Sequence, residues 1–328
     1  MKAPLLLQGM LGLGDCLHER AVIRQYQVKG FDVWLESPWV SVFHDLIPLG
    51  LKVIRRPTSL RTQSKNSSRE SADFSLVAPP QHVRKIRIWY SPDGVRGKGS
   101  VLGAICDATQ CDIAQADFRL PVPPAWRAKA QAWIDQWRPT KPIMVYRPLV
   151  ERTEAAPMCA VRNPAHENYA TLFEEINDRF FVVSVADLVP GKEWAVGKDV
   201  RVDARCHAGE LEFETLAALF SMSALVLTSP GFAVPLAQAV ETPVICVFGG
   251  YENSKSFAGT KFSPYLGIDT IKPCDCFCHN HRCNKAIDLP LAIKLIREFA
   301  SDSTRGPAGI PEYRRSEDEP SMRYAGGC

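Results

Sequence analysis

Four short segments hold residue types whose spacing could do chemistry. Near the N-terminus, Gln8-Gly-Met-Leu-Gly-Leu-Gly-Asp-Cys-Leu-His18 joins an apolar run to the start of a helix-like stretch. Its glycines, Gly9, Gly12 and Gly14, let the backbone approach a ligand closely, and Asp15 then stands near the helix start, placed to act as a general base. The same position suits a helix cap, so both roles stay open. A second segment, Tyr146-Arg147-Pro-Leu-Val-Glu-Arg152, follows an apolar strand, where Arg147 and Arg152 can neutralise a phosphate or simply pair on the surface. A third runs from Ala208 to Gly250 and carries Ser229-Pro-Gly231 between a strand and a helix, a turn whose free N–H groups attract an anion. In the fourth, Lys272 to Lys285, Cys274, Cys276, Cys278 and Cys283 stand with two histidines within ten residues, a density that fits a structural zinc or iron. Alternate cysteines on an extended chain line one edge and do not surround an ion. A disulfide and unliganded thiols therefore remain alternatives.

The elements that must position these residues alternate. Strands are expected at Pro4 to Gln8, Phe31 to Glu36, near Lys52 to Arg55, and at Arg84 to Tyr90, with a helix from about Asp15 to Lys29. Residues 58 to 72 are polar without an apolar stripe and read as a long functional loop. A Trp-bearing helix, Ala125 to Trp137, ends in Arg138-Pro-Thr-Lys-Pro142, which marks a boundary. Beyond it a second series begins: strands Ile143 to Tyr146, Phe180 to Ser184, Ala224 to Thr228 and Val244 to Phe248, with helices Asn168 to Asn177, Leu211 to Ser221, Ala233 to Val240 and Leu289 to Phe299. Two tandem Rossmann-like halves explain this order, 1–124 and 143–300, joined by a linker helix at 125–142 and followed by a disordered tail at 301–328. Ligands of such folds sit at the carboxyl ends of the strands, in the crevice between the halves.

Composition narrows the class. At 328 residues the chain suits two domains, and no stretch approaches the roughly 20 apolar residues of a membrane span. The 11 cysteines are an odd number, and most lack framework spacing, which points to a reducing, cytoplasmic compartment. Net charge is only +3, yet residues 51–100 hold eleven Lys/Arg against three acids, a local +8. Such asymmetry concentrates polyanions. Glycine spacing does not form a clean dinucleotide fingerprint, although Glu36 at the end of the second strand keeps a dehydrogenase alternative open.

The stretch from Ala208 to Gly250 resembles the C-terminal half of the heptosyltransferases, glycosyltransferase family nine, and Gly12-Leu-Gly-Asp-Cys-Leu-His18 resembles that family's Gly-x-Gly-Asp-x-x-His segment. The resemblance spans most of residues 5 to 285 and fits a distant, viral branch. It implies an α/β fold of GT-B type and a metal-independent, inverting transfer of a sugar from a nucleotide-sugar donor. It places catalysis on Asp15 and His18, and the donor on Arg147, Arg152, Glu210, Ser229, Gly231, Phe232, Gly249 and Gly250. The acceptor falls to Gly12 and Gly14 and, from the charge of the polar loop at 58–72, to Arg61 and Lys65. One departure is that Ser229 or Pro230 stands where the family has an Asp. No Asp-x-Asp occurs in the chain, so no catalytic metal is expected. The basic N-terminal half suits a phosphorylated lipopolysaccharide core, and equally DNA with hydroxymethylated bases. Two other classes remain: a sugar-nucleotide epimerase of the same architecture, and a metal-stapled nucleic-acid-binding module.

Overall fold

The protein is described by a computed structural model, which covers residues 2–58, 64–65, 68–70, 73–153, 160–258, 262–278, 282 and 284–303. Arg61, Cys283 and residues 304–328 of the expected tail lie outside the described residues.

The N-terminal sheet contains β1 (Pro4–Gln8), β2 (Asp32–Ser37), β3 (Lys52–Arg55) and β4 (Arg84–Arg87) in the order β3-β2-β1-β4, all parallel. Central β1 is Pro-Leu-Leu-Leu-Gln, and its three leucines are buried on both faces, as a covered parallel strand requires. The C-terminal half is built from β5 (Ile143–Tyr146), β6 (Leu149–Arg152), β7 (Phe181–Val185), β8 (Glu193–Val196), β9 (Ala204–Cys206), β10 (Leu225–Thr228), β11 (Val244–Val247) and β12 (Tyr265–Ile268). Six of these form a parallel sheet in the order β12-β11-β10-β5-β7-β9, while β6 and β8 pair as a separate antiparallel ladder.

The halves are packed against each other through helices. The Leu13–Val28 helix that follows β1 meets the Ala233–Ala239 helix that follows β10. Gly14 makes this approach close, because a Cβ there would lie 3.1 Å from Pro235 Cγ and 3.2 Å from the Phe232 Cα. The Pro124–Asp135 helix lies on the Phe213–Met222 helix, with Trp126 edge-on to Phe213 and Lys129 bonded to Glu212 and Glu214. One apolar cluster consequently runs from Leu5 and Leu17 to Val183, Ala217 and Leu236.

A fully buried cation fixes the Leu13–Val28 helix. Arg20 donates to the carbonyls of Val42, Phe118 and Arg119 and to the Asp45 carboxylate at 2.8 Å. With its donors met by these acceptors, the guanidinium can be held inside.

Several elements differ from expectation for local reasons. β4 stops at Arg87, so Trp89 and Tyr90 leave the sheet; Ile88 turns into the core. Two short helices follow, Pro92–Lys98 and Val101–Ala108, capped by Ser91 and Ser100, whose hydroxyls accept the Gly94 and Gly103 N–H. Ser-Pro before a helix is a start signal that could have been read. The segment holding Arg152, absent from the expected strands, is strand β6, because Leu149 to Arg152 finds a partner in Val196 to Glu193. The helix expected at Asn168 to Asn177 runs instead from His166 to Glu174.

Candidate functional site

Between the halves lies a cleft of about 800 Å³, lined by the carboxyl ends of strands from both sheets. Its N-terminal wall begins with the turn after β1. Gly9 is required there, since a Cβ would meet the Glu36 carbonyl at 2.7 Å. The turn is held from beneath by fully buried Glu19, which accepts the Met10 N–H, and from the side by Arg56, which donates to the Gly9 carbonyl. Asp15 follows on the first turn of the helix and lines the cleft. Its Oδ2 folds back over Gly12, where a Cβ would stand 2.5 Å away, and its Oδ1 accepts a hydrogen bond from the Tyr90 hydroxyl at 3.1 Å. Burial pushes the Asp15 carboxyl up to about 6; Tyr90 and the Arg162 charge oppose that rise, and Glu252 adds to it. Tyr90 itself is raised, by burial first and then by the Asp15 charge, and stays a proton donor.

His18, only 3% exposed, sits edge-on to Phe118 at 5.0 Å, and burial holds its imidazole down at about 4. It is therefore neutral near pH 7.

The opposite wall carries the cations. Arg147 lies beyond β5 with its guanidinium 5.2 Å from the Phe232 ring centre and 3.4 Å from the place a Gly231 Cβ would take. Gly231 has φ +156°, a conformation that residues with a Cβ rarely adopt. Arg152, on β6, and Arg162, in a helical turn ahead of the His166–Glu174 helix, also line the cleft. Arg162 Nε donates to Glu252 Oε1 at 2.6 Å, and Glu252 is almost wholly buried.

The cleft thus gathers Gly12, Gly14, Asp15, His18, Arg147, Arg152, Gly231 and Phe232 from the sequence-derived set. Other members of that set lie elsewhere. Ser229 is buried behind the turn, and the Glu210 carboxylate accepts the Ala208 N–H at 2.8 Å. Lys65 is ion-paired across the cleft mouth with Asp187, and neighbouring Arg69, which does line the cleft, reaches the Gly209 carbonyl at 3.2 Å. Gly250 accepts the Asp275 N–H on its carbonyl at 3.1 Å. Gly249 supports the wall: a Cβ there would lie 2.8 Å from the Arg162 carbonyl and would collide with that of Asn163. Gly249→Ala should therefore cost about 1–3 kcal/mol by forcing backbone apart, read as a lowered denaturation midpoint. A midpoint equal to that of the parent chain would show that the loop yields freely.

Among the cleft residues absent from the sequence-derived set are Tyr90, Arg162, Glu252, Arg56, Arg87 and Trp39. Arg56 and Arg87 carried a signal as members of the basic 51–100 window, Tyr90 as the end of the Arg84 to Tyr90 segment, and Arg162 as a basic residue soon after the Arg147 to Arg152 segment.

The cysteine segment lies against the Gly249-Gly250 turn. Cys274 Sγ donates to the Gly250 carbonyl at 3.3 Å and Cys278 Sγ to the Cys276 carbonyl at 3.4 Å. Among the described residues no group of three or more His, Cys, Asp or Glu side chains is arranged to hold a metal ion. The other members of the expected zinc or iron site, Cys283 with His279 and His281, lie outside the described residues. The segment braces the turn, with the Phe277 N–H on the Tyr251 carbonyl and Arg96 from the N-terminal half on the Asp275 carbonyl, both at 3.1 Å.

No protein-family profile and no curated protein matches the sequence. Solved structures do match. The glycosyl transferase family 9 protein of Veillonella parvula shares 10% identity, with a TM-score of 0.57 over 91% of this chain and 97% of its own. The iron-containing dodecameric glycosyltransferase TibC of enterotoxigenic E. coli shares 12%, with a TM-score of 0.57 over 93% of this chain and 76% of its own. It has also been solved in complex with ADP-D-β-D-heptose. E. coli ADP-heptose LPS heptosyltransferase II shares 13%, with a TM-score of 0.55 over 92% of this chain and 99% of its own. At these identities the shared property is the fold, and the chain has the GT-B architecture: two Rossmann-like halves facing each other across a cleft.

Proposed function

We propose that this protein is a glycosyltransferase that moves a sugar from a nucleotide-sugar donor to a hydroxyl of a polyanionic acceptor. The observation that carries the reading is a single cavity with Asp15, whose proton affinity is raised toward neutrality, on one wall and Arg147 and Arg152 on the other. In the reaction, Asp15 takes the proton of the acceptor hydroxyl. The freed oxygen attacks the anomeric carbon as the bond to the diphosphate oxygen breaks, in one displacement with inversion. The negative charge left on the nucleoside diphosphate is met by Arg147 and Arg152, and the open backbone at Gly231 gives its phosphates room to approach. His18, neutral and buried, shapes the base's side of the cleft. The ADP-sugar found with the similarly folded TibC supports a nucleoside diphosphate donor. Arg56, Arg69 and Arg87 on the N-terminal wall support an anionic acceptor.

The test is a mass-spectrometric screen of the protein with UDP-, ADP- and GDP-sugars against lipopolysaccharide core and hydroxymethylated duplex DNA. A sugar-sized mass gain on one acceptor identifies both substrates; no donor consumption with any pair refutes transfer.

The same base dictates a pH dependence. Asp15 must be ionised to accept a proton, so activity is present above pH about 6 and lost as pH falls through that value. A kcat/KM profile whose acid limb lies at the ordinary carboxylate position near 4 would exclude Asp15 as the titrating base.

A further inference from the structure

Trp89 is 51% exposed, and among the described residues it is the one large exposed apolar side chain that lines the cleft. Trp137 and Trp194, also exposed, do not line it. The segment carrying the indole is anchored on both sides. Ile88 is buried and donates its N–H to the Gln8 carbonyl at 2.9 Å, and Tyr90 donates its hydroxyl to Asp15 at 3.1 Å. Ser91 then caps the next helix. A flat ring held in water one residue from the contact with Asp15 is a platform on which another flat ring can stack.

Cations lead up to this platform. The Arg87 guanidinium lies 5.8 Å from the centre of the indole ring. Arg87 closes β4, an edge strand of the N-terminal sheet, on which Arg84, Lys85 and Arg87 are all exposed and none has an ion-pair partner among the described residues. At about 3.3 Å per residue this row of charge covers roughly 10 Å, room for more than one phosphate. Arg56 and Arg69 line the cleft on the same side. Apart from Asp15, the acid of that wall is Glu70, whose carboxylate is engaged by the Val40 and Ser41 N–H groups at 2.9 and 3.0 Å and by the Ser41 hydroxyl. A pyranose can also lie on an indole, but a row of cations running into a flat ring matches a chain in which phosphates repeat and each unit carries a planar base.

We propose that the acceptor is a nucleic-acid strand, whose phosphates follow Arg84, Lys85 and Arg87 along β4 and whose reacting nucleotide leaves the stack to lie on Trp89 with a hydroxyl at Asp15. A nucleobase inside a duplex does not reach into a cleft, so the nucleotide that enters is unpaired or extruded. The chemistry rests on the transferase reading: the nucleotide's hydroxyl oxygen bonds to the anomeric carbon, its proton goes to Asp15, and the bond from that carbon to the diphosphate oxygen breaks, releasing the nucleoside diphosphate. Strand binding stands on Trp89 and the cations alone.

The test is fluorescence anisotropy of the full-length protein with labelled single-stranded DNA carrying hydroxymethylcytosine and with RNA of the same sequence. Trp89→Ala should weaken strand binding by about 5- to 100-fold, and Trp89→Phe, which keeps a flat ring, should restore most of it. Arg87→Gln should reduce the slope of log affinity against log salt by about 0.7, the share of one phosphate contact on a single strand. The denaturation midpoint of each variant checks that it folds. Loss in Trp89→Ala with recovery in Trp89→Phe supports the proposal, and the strand that shows it names the source. Equal affinity in Trp89→Ala overturns it, as does a parent chain that binds neither strand but binds lipopolysaccharide core sugars. The two readings fail separately. No donor consumed while a strand binds at Trp89 refutes transfer and keeps the platform; donor consumed with core sugars and no strand bound refutes the platform and keeps transfer.

Discussion

Asp15→Asn is expected to lower sugar transfer by about 10²–10⁴-fold, the range a positioned general base contributes, with donor affinity nearly unchanged. Asparagine keeps the volume and still offers an oxygen to the Tyr90 hydroxyl, so the turn over Gly12 and the packing of Gly14 on Phe232 should persist. What disappears is the ability to accept the acceptor's proton. The donor's proposed contacts, Arg147, Arg152 and the Gly231 backbone, lie on the opposite wall and are untouched. Steady-state kinetics beside calorimetric binding of the nucleoside diphosphate separates the two effects. Near-normal turnover would remove the base role, and lost donor binding would show that Asp15 belongs to the donor site instead.

The second large effect is on stability. Asp45→Ala should cost about 3–5 kcal/mol, because it removes the carboxylate that pairs with the fully buried Arg20 guanidinium. Three carbonyls would still accept from Arg20, but carbonyl dipoles do not replace a countercharge. Arg24, bonded to the same Asp45 and to Asp117, would lose a partner as well. Adding Arg20→Met to this variant should recover part of the loss by removing the stranded cation. Urea denaturation of the parent, single and double variants reads this directly. A single variant within about 1 kcal/mol of the parent would mean that water reaches Arg20. The prediction bears on function because Arg20 anchors the helix whose first turn presents Asp15.

The parallel halves were legible because their strands are nearly continuous apolar runs. Leu5-Leu6-Leu7, Ile143 to Tyr146 and Leu225 to Thr228 are each buried on both faces, and this kind of strand differs most from loops. The glycine turn before Asp15 was legible for a local reason too, since strand, turn and helix are consecutive in the chain. The β6–β8 ladder was not, because strand β6 is a short Leu-Val-Glu-Arg run with a charged C-terminal end and becomes a strand only by meeting Glu193 to Val196 far along the chain. The contacts of the cysteine segment were not legible either: Cys274 and Cys278 donate to carbonyls and the segment braces the Gly249-Gly250 turn, which cysteine spacing does not record.

By itself, the sequence determined the two tandem α/β halves, the turn that presents Asp15 and the arginines after the first strand of the second half. Each depends on neighbours within a few residues, and local pattern carries that information. Only the tertiary structure decided which charges surround Asp15. Tyr90, Arg162 and Glu252 come from three distant segments and two halves, and proton affinity depends on burial and distance in space, neither of which spacing along the chain records.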